Sequence, residues 1–544
     1  MRRKPATPPQ KQALRPAPKN TKPRAPETPH LPDALDKEIS DTEHSLENTR
    51  DPREIQALTL RKRLLGILRE GTLRKSRVGV TVVQASNGRV LFSHHGDQLF
   101  NPASNTKMLT TAAALALLGG DFRYSTSAYG HLPDESGIVE GNLVLRGSGD
   151  PSLTTTDLAE LARQLAGRGV VHVAGDVVAD PSFRGTPAGG GATPEQNALI
   201  LDRNTYGLRL HPTVVGKTVA VSLDPRDDFF VVDNHAITVK GKRARLQISV
   251  VRSEGRVVLS IRGRLGISAG DRVIRRRLPD GAFFVAALFR SLLGDFGITV
   301  EGRARVSTGA ADDPPKIFLL AEHRSARLSD VCRLSNKPSN NFVAETIYKT
   351  LGGELFGWPG SLAKGTRAVM DYLSSMGIAA TRYRIVNGSG LTHENRISPA
   401  ALAELLRRIY FDLSVAPDFM SSLAVSGIDG TIRDRFAGTD AVGLVRAKTG
   451  TLSGVSALSG YVGEKEDVLI FTILVEGFRD RRVKEIRHAQ VQMVQAMLRY
   501  LRADASTNAP DSDRLPALPS GSDSEDQSED SEADGDPAYP PAPL

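Results

Sequence analysis

The most informative segment of this 544-residue chain reads Phe100-Asn-Pro-Ala-Ser-Asn-Thr-Lys-Met-Leu-Thr-Thr-Ala-Ala-Ala-Leu115. Ser104 and Lys107 stand three residues apart at the start of a predicted apolar helix, which brings both side chains onto one face. A neutral amine beside a serine can take the hydroxyl proton, and burial and nearby positive charge both favour a neutral lysine. The helix N-terminus adds free amides that suit an oxyanion. Ser104 and Lys107 are therefore candidate catalytic residues.

The pattern Ser-x-x-Lys is weak by itself, because a chain of average composition contains it by chance. A second copy, Ser361-Leu-Ala-Lys364, follows Pro359-Gly360. We interpret the second copy as a solvated helix face, because no further element follows it in the expected order. Specificity must come from other segments.

A second candidate element is Ser339-Asn340-Asn341. The hydroxyl of Ser339 and the amide of Asn341 can together pass a proton and hold a substrate carbonyl. The alternative for Ser339 is a helix N-cap, since Phe342 onward looks helical, and the two roles are compatible. Ser-x-Asn carries almost no information alone, because Ser506-Thr-Asn508 also matches.

A third element, Arg446-Ala-Lys-Thr-Gly-Thr451, predicts a strand beside a site. Gly450 allows another backbone to approach closely. Lys448 and Thr449 can bind a substrate carboxylate, and the amide of Thr451 can donate to an oxyanion. In isolation, a polar edge strand is the alternative.

The three elements occur in the order of the motif set of penicillin-recognising serine enzymes. On this set the chain resembles the class C, low-molecular-mass penicillin-binding proteins, which are D-alanyl-D-alanine carboxypeptidases and endopeptidases of the DacB type. The long gap between Ser104 and Ser339 also fits, because members insert β-rich domains there. The resemblance runs from about Leu60 to Leu501. It includes Gly141-Asn-Leu-Val-Leu-Arg-Gly-Ser-Gly-Asp-Pro-Ser-Leu153, Val173-Ala-Gly-Asp176, Asn387-Gly-Ser-Gly-Leu391 and Gly427-Ile-Asp-Gly-Thr-Ile-Arg433.

The resemblance implies a role for each motif residue. The implied reaction is hydrolysis of D-alanyl-D-alanine bonds in peptidoglycan peptides through an acyl-enzyme, and β-lactams are implied as covalent inhibitors. No cofactor and no metal are expected, and the chain lacks a His-Glu-x-x-His zinc signature. The resemblance implies that the backbone amides of Ser104 and Thr451 form the oxyanion hole. The implied catalytic residues are Ser104 as nucleophile, Lys107 as base, and Ser339 and Asn341 as assisting groups. The implied substrate-binding residues are Lys448 and Thr449 for the terminal carboxylate, with Gly450 and Thr451 beside them.

The implied fold is α/β (α+β), the penicillin-binding/β-lactamase-like transpeptidase fold. It has an antiparallel sheet flanked by helices, and here the resemblance and the short β-like runs predict an inserted β-rich region. Both chain ends are rich in Pro and charge, which is typical of disorder. We predict a disordered basic tail at 1–55, a first catalytic part at 56–125, a β-rich insertion at 126–312, a second catalytic part at 313–502, and a disordered acidic tail at 503–544.

Composition excludes several classes of protein. The net charge of +8 is concentrated in a basic N-terminal block and offset by an acidic C-terminal block. No aromatic platform accompanies the basic block, so nucleic-acid binding is not expected. A single cysteine, Cys332, permits no intramolecular disulfide and is interpreted as a small buried hydrophobe. No run approaches the ~20 apolar residues of a transmembrane helix. No secretory signal is visible in residues 1–32, yet the resemblance implies a periplasmic location; the sequence does not indicate an oligomeric state.

Two alternatives remain open. A serine β-lactamase or esterase on the same fold would use the same motifs but deacylate quickly, and the long insertion argues against it. A catalytically silent wall-binding scaffold would use the tails as partner-binding arms, and the presence of every catalytic side chain argues against that. Carboxypeptidase and endopeptidase action cannot be separated, because both break a bond to a D-alanine carbonyl.

Two segments depart from the family pattern. Asn387 stands where the family usually has Asp, and Arg203-Asn-Thr-Tyr-Gly-Leu-Arg-Leu-His211 matches the family poorly.

Overall fold

A six-stranded antiparallel sheet joins the two catalytic parts of the chain. The structure is a computed structural model and describes residues 31–182, 198–224, 229–253, 256–278, 280–307, 317–464 and 467–503. Most of both predicted tails, residues 1–30 and 504–544, lies outside these ranges. The strands of the sheet are β1 (Arg77–Gln84), β2 (Val90–His94), β20 (Ala424–Val425), β21 (Val445–Leu452), β22 (Val455–Glu464) and β23 (Asp467–Glu476). Their order is β2-β1-β23-β22-β21-β20, so the first strands pair with the last ones.

The sheet is buried on both faces. In β23, Leu469, Phe471 and Ile473 enter one core, while Ile470 and Leu474 enter the other. This alternation follows from the two-residue period of a strand. Helices cover both faces, as the sequence predicts. The core on one face includes residues of α3 (Thr106–Leu118), α6 (Leu328–Asn336), α7 (Asn341–Phe356), α8 (Leu362–Ser375), α9 (Pro399–Phe411) and α10 (Ala416–Ser422). The core on the other face includes residues of α2 (Pro52–Arg69) and α11 (Val483–Arg502).

The segment between α3 and α6 forms a separate core with its own sheets. Its described residues also form the helices α4 (Thr155–Gly167) and α5 (Gly281–Asp295). The sheet orders are β16-β7-β5-β3-β17, β15-β6-β4, β14-β8-β9 and β10-β13-β11, with β12 paired to β13. The strands are β3 (Ser125–Gly130), β4 (Ile138–Val139), β5 (Leu143–Gly147), β6 (His172–Val173), β7 (Val177–Asp180), β8 (Thr205–His211), β9 (Ala220–Asp224), β10 (Phe230–Asn234), β11 (Ile237–Val239), β12 (Ala244–Ser253), β13 (Arg256–Gly266), β14 (Arg272–Arg277), β15 (Thr299–Val300), β16 (Ala304–Val306) and β17 (Phe318–Arg324).

The insertion ends later than predicted. Strand β17 begins at Phe318, beyond the predicted boundary at 312, and pairs with β3 at the start of the insertion. The last strand thus returns beside the first one, which brings the chain back to the catalytic part. A short ladder of β18 (Tyr383–Arg384) and β19 (Arg396–Ile397) lies further along the chain. The poorly matching stretch 203–211 contains β8.

The prediction of disorder across residues 1–55 is wrong for residues 31–48. They form α1 (Leu31–Asn48), which packs along α2. Leu35 is buried in the core under the sheet. Ion pairs join the two helices along their exposed side, and surface pairs of this kind contribute little each. The stabilising contact is therefore apolar and tertiary, which the Pro-rich and charged composition does not indicate. The ion pairs are Arg61–Glu38, Lys62–Glu43 and Arg69–Asp36.

Candidate active site

The candidate nucleophile lies in a tight turn that leads directly into α3. Residues 103–105 form a 3-10 turn, in which Ala103 has a left-handed backbone with φ 44°. The Ala103 amide donates to Asn101 Oδ1 over 2.8 Å, which fixes the turn. Lys107 is fully buried in the first turn of α3, and its Nζ donates to Ser104 Oγ over 2.9 Å. The distance is the one that a serine nucleophile and its base require.

Two more oxygen atoms lie within hydrogen-bond distance of Lys107 Nζ. Its Nζ donates to Asn341 Oδ1 over 2.6 Å and to the Ser389 carbonyl oxygen over 2.8 Å. Together with Ser104 Oγ, these two oxygens surround Nζ, which holds the Lys107 side chain in one orientation directed at Ser104. Asn341 is a candidate from the sequence. The Ser389 contact was missed, because a backbone carbonyl gives no signal in a side-chain motif.

Ser339 and Asn341 lie where the chain passes from α6 to α7. Ser339 is half-buried and has a left-handed backbone with φ 64°. The N-cap of α7 is Asn340, whose side-chain oxygen accepts from the Val343 amide over 2.9 Å. The alternative interpretation of Ser339 as the N-cap is therefore wrong. An N-cap residue has an extended backbone, whereas the backbone of Ser339 is left-handed. Asn340, the next residue, is extended and caps the free amides of α7.

Strand β21 lies against the nucleophile turn. Lys448 is fully buried, and burial together with the charge of Lys107 holds the pKa of Lys448 well below its usual range. Its Nζ donates to the Thr449 carbonyl oxygen over 3.1 Å. A Cβ at Gly450 would stand 2.8 Å from the Pro102 carbonyl oxygen. Glycine is therefore what allows the strand to approach this closely.

Two threonines mark the accessible side of β21. Thr449 Oγ1 donates to Thr431 Oγ1 over 2.8 Å. The Arg487 guanidinium, from α11, donates to Thr451 Oγ1 over 3.2 Å. These groups together offer hydroxyl donors and a cation, which suit a carboxylate. Sequence reasoning missed the parts of Thr431 and Arg487, since neither belongs to one of the three catalytic motifs.

Residues 387–391 close the other side of the turn. Gly390 has φ +75°, and a Cβ there would stand 1.9 Å from the Ala103 carbonyl oxygen. Asn387 Oδ1 accepts from the Gly390 amide over 2.8 Å, so Asn387 shapes this loop. The Glu345 carboxylate accepts from the Ser389 amide over 2.9 Å and from the Gly388 amide over 3.2 Å. The loop that holds Lys107 is therefore itself held from α7.

The second Ser-x-x-Lys copy, Ser361 to Lys364, stabilises the start of helix α8. Ser361 is the N-cap of α8, where its hydroxyl accepts from the Lys364 amide over 3.2 Å. Lys364 Nζ donates to the Pro359 carbonyl oxygen over 2.9 Å, so it is tied to the preceding loop rather than simply solvated.

Cys332 is fully buried, and burial raises the pKa of its thiol.

The described part of the chain contains neither a metal-binding cluster nor a membrane-spanning helix. Within it, no group of three or more His, Cys, Asp or Glu side chains is placed to hold a metal ion. No helix in the same ranges is long and apolar enough to cross a membrane.

Comparisons with known proteins agree with this geometry. A model of the D-Ala-D-Ala carboxypeptidase 3 (S13) family matches residues 60–497. A D-alanyl-D-alanine carboxypeptidase of Actinomadura sp. (strain R39) is 32% identical over 440 residues, which cover 77% of this chain and 81% of that protein. The D-alanyl-D-alanine carboxypeptidase DacB of Haemophilus influenzae is 25% identical over 421 residues, which cover 74% and 86%. The crystal structure of penicillin binding protein 4 (dacB) from the same species has a TM-score of 0.64 at 24% identity, and covers 80% of this chain and 98% of its own. The predicted penicillin-binding/β-lactamase-like fold is confirmed.

Proposed function

Because the chain belongs to the D-Ala-D-Ala carboxypeptidase 3 (S13) family and is a serine-type carboxypeptidase of the DacB type, we propose that it cleaves peptidoglycan peptides through an acyl-enzyme on Ser104. The observation that carries this assignment is the 2.9 Å hydrogen bond between Lys107 Nζ and Ser104 Oγ in a buried site. The alternative serine, Ser361, is occupied as a helix cap. The family defines the bond that is cleaved, and the local geometry supports the choice of nucleophile.

In the acylation step, Ser104 Oγ attacks the carbonyl carbon of the penultimate D-alanine, and its proton passes to the neutral amine of Lys107. The backbone amides of Ser104 and Thr451 receive the negative charge that develops on the carbonyl oxygen. The C–N bond then breaks, and the proton moves through the Ser339 hydroxyl to the departing amine. Water next attacks the ester carbon, Lys107 takes a proton from it, and Ser104 leaves as the restored hydroxyl.

A second buried lysine, Lys448, prepares Lys107 to act as the base. Lys107 and Lys448 each disfavour the charge of the other, because like charges at a buried site repel strongly. A substrate carboxylate beside Lys448 favours the ammonium form of Lys448. The repulsion then favours the neutral amine at Lys107. Binding of the correct terminal carboxylate therefore places the base in its active state.

The substrate also sets the place of action. Peptidoglycan lies outside the cytoplasmic membrane, so we place this enzyme in the periplasm. We also propose that β-lactams inhibit this enzyme covalently, because penicillin binding protein 4 of H. influenzae was crystallised in complex with a β-lactam. Separation of cell fractions, followed by detection of the chain with an antibody, tests the location. Recovery in the cytoplasmic fraction alone would contradict it.

The nucleophile is tested with a fluorescent penicillin and peptide mass mapping. We expect one lasting adduct on Ser104, which Ser104→Ala and Lys107→Ala both abolish. The matched controls Ser361→Ala and Lys364→Ala, in the second copy of the same pattern, should label like the parent. Turnover without a lasting adduct would favour the β-lactamase alternative, and absence of any reaction would favour the silent scaffold.

The reaction is tested separately from the nucleophile. Release of D-alanine from a peptide that ends in D-Ala-D-Ala measures carboxypeptidase action. Cleavage of a cross-linked peptide dimer measures endopeptidase action. Both activities should vanish together in Ser104→Ala, because one acyl-enzyme serves both. Persistence of either activity in that variant would overturn the proposed mechanism.

A further inference from the structure

A groove of about 580 Å³ lies between the segment that follows α2 and the segment that joins β23 to α11. We call it the basic groove. Ten residues line it, of which four are cationic and one is acidic. The charged residues that line it are Lys75, Arg479, Arg481, Arg482 and Glu485.

The positive charge of the basic groove is largely uncompensated. Its one acid, Glu485, is already engaged by Arg482 in an ion pair and by the Thr72 hydroxyl. Lys75, Arg479 and Arg481 are exposed, and none of the three forms an ion pair with a residue of the described ranges. A concave surface with three free cations favours an extended anionic ligand over a neutral one.

The chain itself carries a matching ligand. Residues 523–536 contain eight acids and no base. The acids are Asp523, Glu525, Asp526, Glu529, Asp530, Glu532, Asp534 and Asp536. Charge of opposite sign on one molecule attracts at distances up to about a Debye length, ~8 Å at physiological salt. The acidic segment needs only to reach the groove.

The connecting chain has the right length to do so. Helix α11 has 20 residues, so it carries the chain about 30 Å away from the groove, which lies at its N-terminal end. Residues 503–522 then separate the helix from the acidic segment. A flexible chain of 20 residues has a root-mean-square span of about 25 Å. The span of this connection nearly equals the distance from the end of α11 back to the basic groove. Intramolecular binding has its highest effective concentration when these two lengths match.

We propose that residues 523–536 dock in the basic groove of the same chain. Arg487, one helical turn into α11, donates to Thr451 at the end of β21. The docked carboxylates would therefore lie near the carboxylate-binding end of the candidate active site, where they would weaken binding of an anionic substrate at low salt. That consequence rests on the proposed function, whereas the docking itself does not.

Zero-length cross-linking of the full chain with a carbodiimide tests the docking without any activity measurement. The reagent joins a lysine amine to a carboxylate in direct contact, and Lys75 is the lysine in the groove. We expect a Lys75 cross-link to residues 523–536 in the monomer band at low salt. At about 1 M salt, where the Debye length is ~3 Å, the cross-link should disappear.

A pair of matched variants locates the docking site. The change of Arg479 and Arg481 to Gln keeps Lys75 and should lower the yield of its cross-link about fivefold, because each exposed pair contributes modestly. The same two-charge change at Arg275 and Arg276, exposed on β14 of the insertion, should leave the yield unchanged. Absence of the Lys75 cross-link, its appearance only in a dimer band, or equal yields in both variants would each overturn the proposal.

Discussion

Gly390→Ala is expected to disable acylation while the protein stays folded. The added Cβ would stand 1.9 Å from the Ala103 carbonyl oxygen, whereas ordinary contacts begin at 3.4 Å. The loop and the nucleophile turn must therefore separate by about 1.5 Å, the difference between those two distances. A misplacement of about 1 Å can cost roughly 100-fold in rate, so we expect a loss of at least ~100-fold. The left-handed backbone, with φ +75°, adds a stability cost of about 1 kcal/mol.

The assay is the second-order rate of labelling by a fluorescent penicillin, with the melting temperature measured in parallel. Gly216→Ala is the matched control, since Gly216 has φ +88° but no atom within 4 Å of the added Cβ. It should lose stability and keep its rate. Gly450→Ala, with a closest approach of 2.8 Å, should fall between the two. Labelling of Gly390→Ala at the parental rate would refute the idea that this contact positions Ser104.

Variants at three further positions test the surroundings of the turn. Because the folded-state pKa of Lys448 lies below its unfolded value, the unfolded chain binds the extra proton, and stability falls as the pH drops below ~10.4. Lys448→Met should therefore raise the melting temperature at pH 7 and flatten its slope up to pH 10, while penicillin labelling falls. Arg487→Gln should raise KM for D-Ala-D-Ala peptides about fivefold with little change in kcat, and Arg487→Lys should recover part of it; an unchanged KM would contradict the role of the Arg487–Thr451 pair. Asn387→Asp should label within about twofold of the parent, because a carboxylate can still accept from the Gly390 amide, and a larger loss would contradict this account of the loop.

Motif order predicts most of the fold and the candidate site. The sequence predicts an antiparallel sheet flanked by helices, and β1 and β23 pair within that sheet while their side chains alternate into two cores. It does not predict α1, whose helix depends on packing against α2. Side-chain motifs likewise give no information on the Ser389 carbonyl, because its contact with Lys107 is made by the backbone. Arg487 was missed because its partner Thr451 lies 36 residues away in the chain.

The glycines of the motifs are the one sequence signal of these close backbone contacts. Gly390 and Gly450 belong to motifs far apart in the chain, yet the Cβ missing from each one would meet the same short turn, at Ala103 and at Pro102. Glycine costs more backbone entropy on folding than other residues, so its use here needs a compensating contact. The compensation is the approach of two backbones to the turn that carries Ser104, which fixes the nucleophile from both sides. A motif glycine therefore signals that another chain segment comes close, but only the tertiary structure identifies that segment.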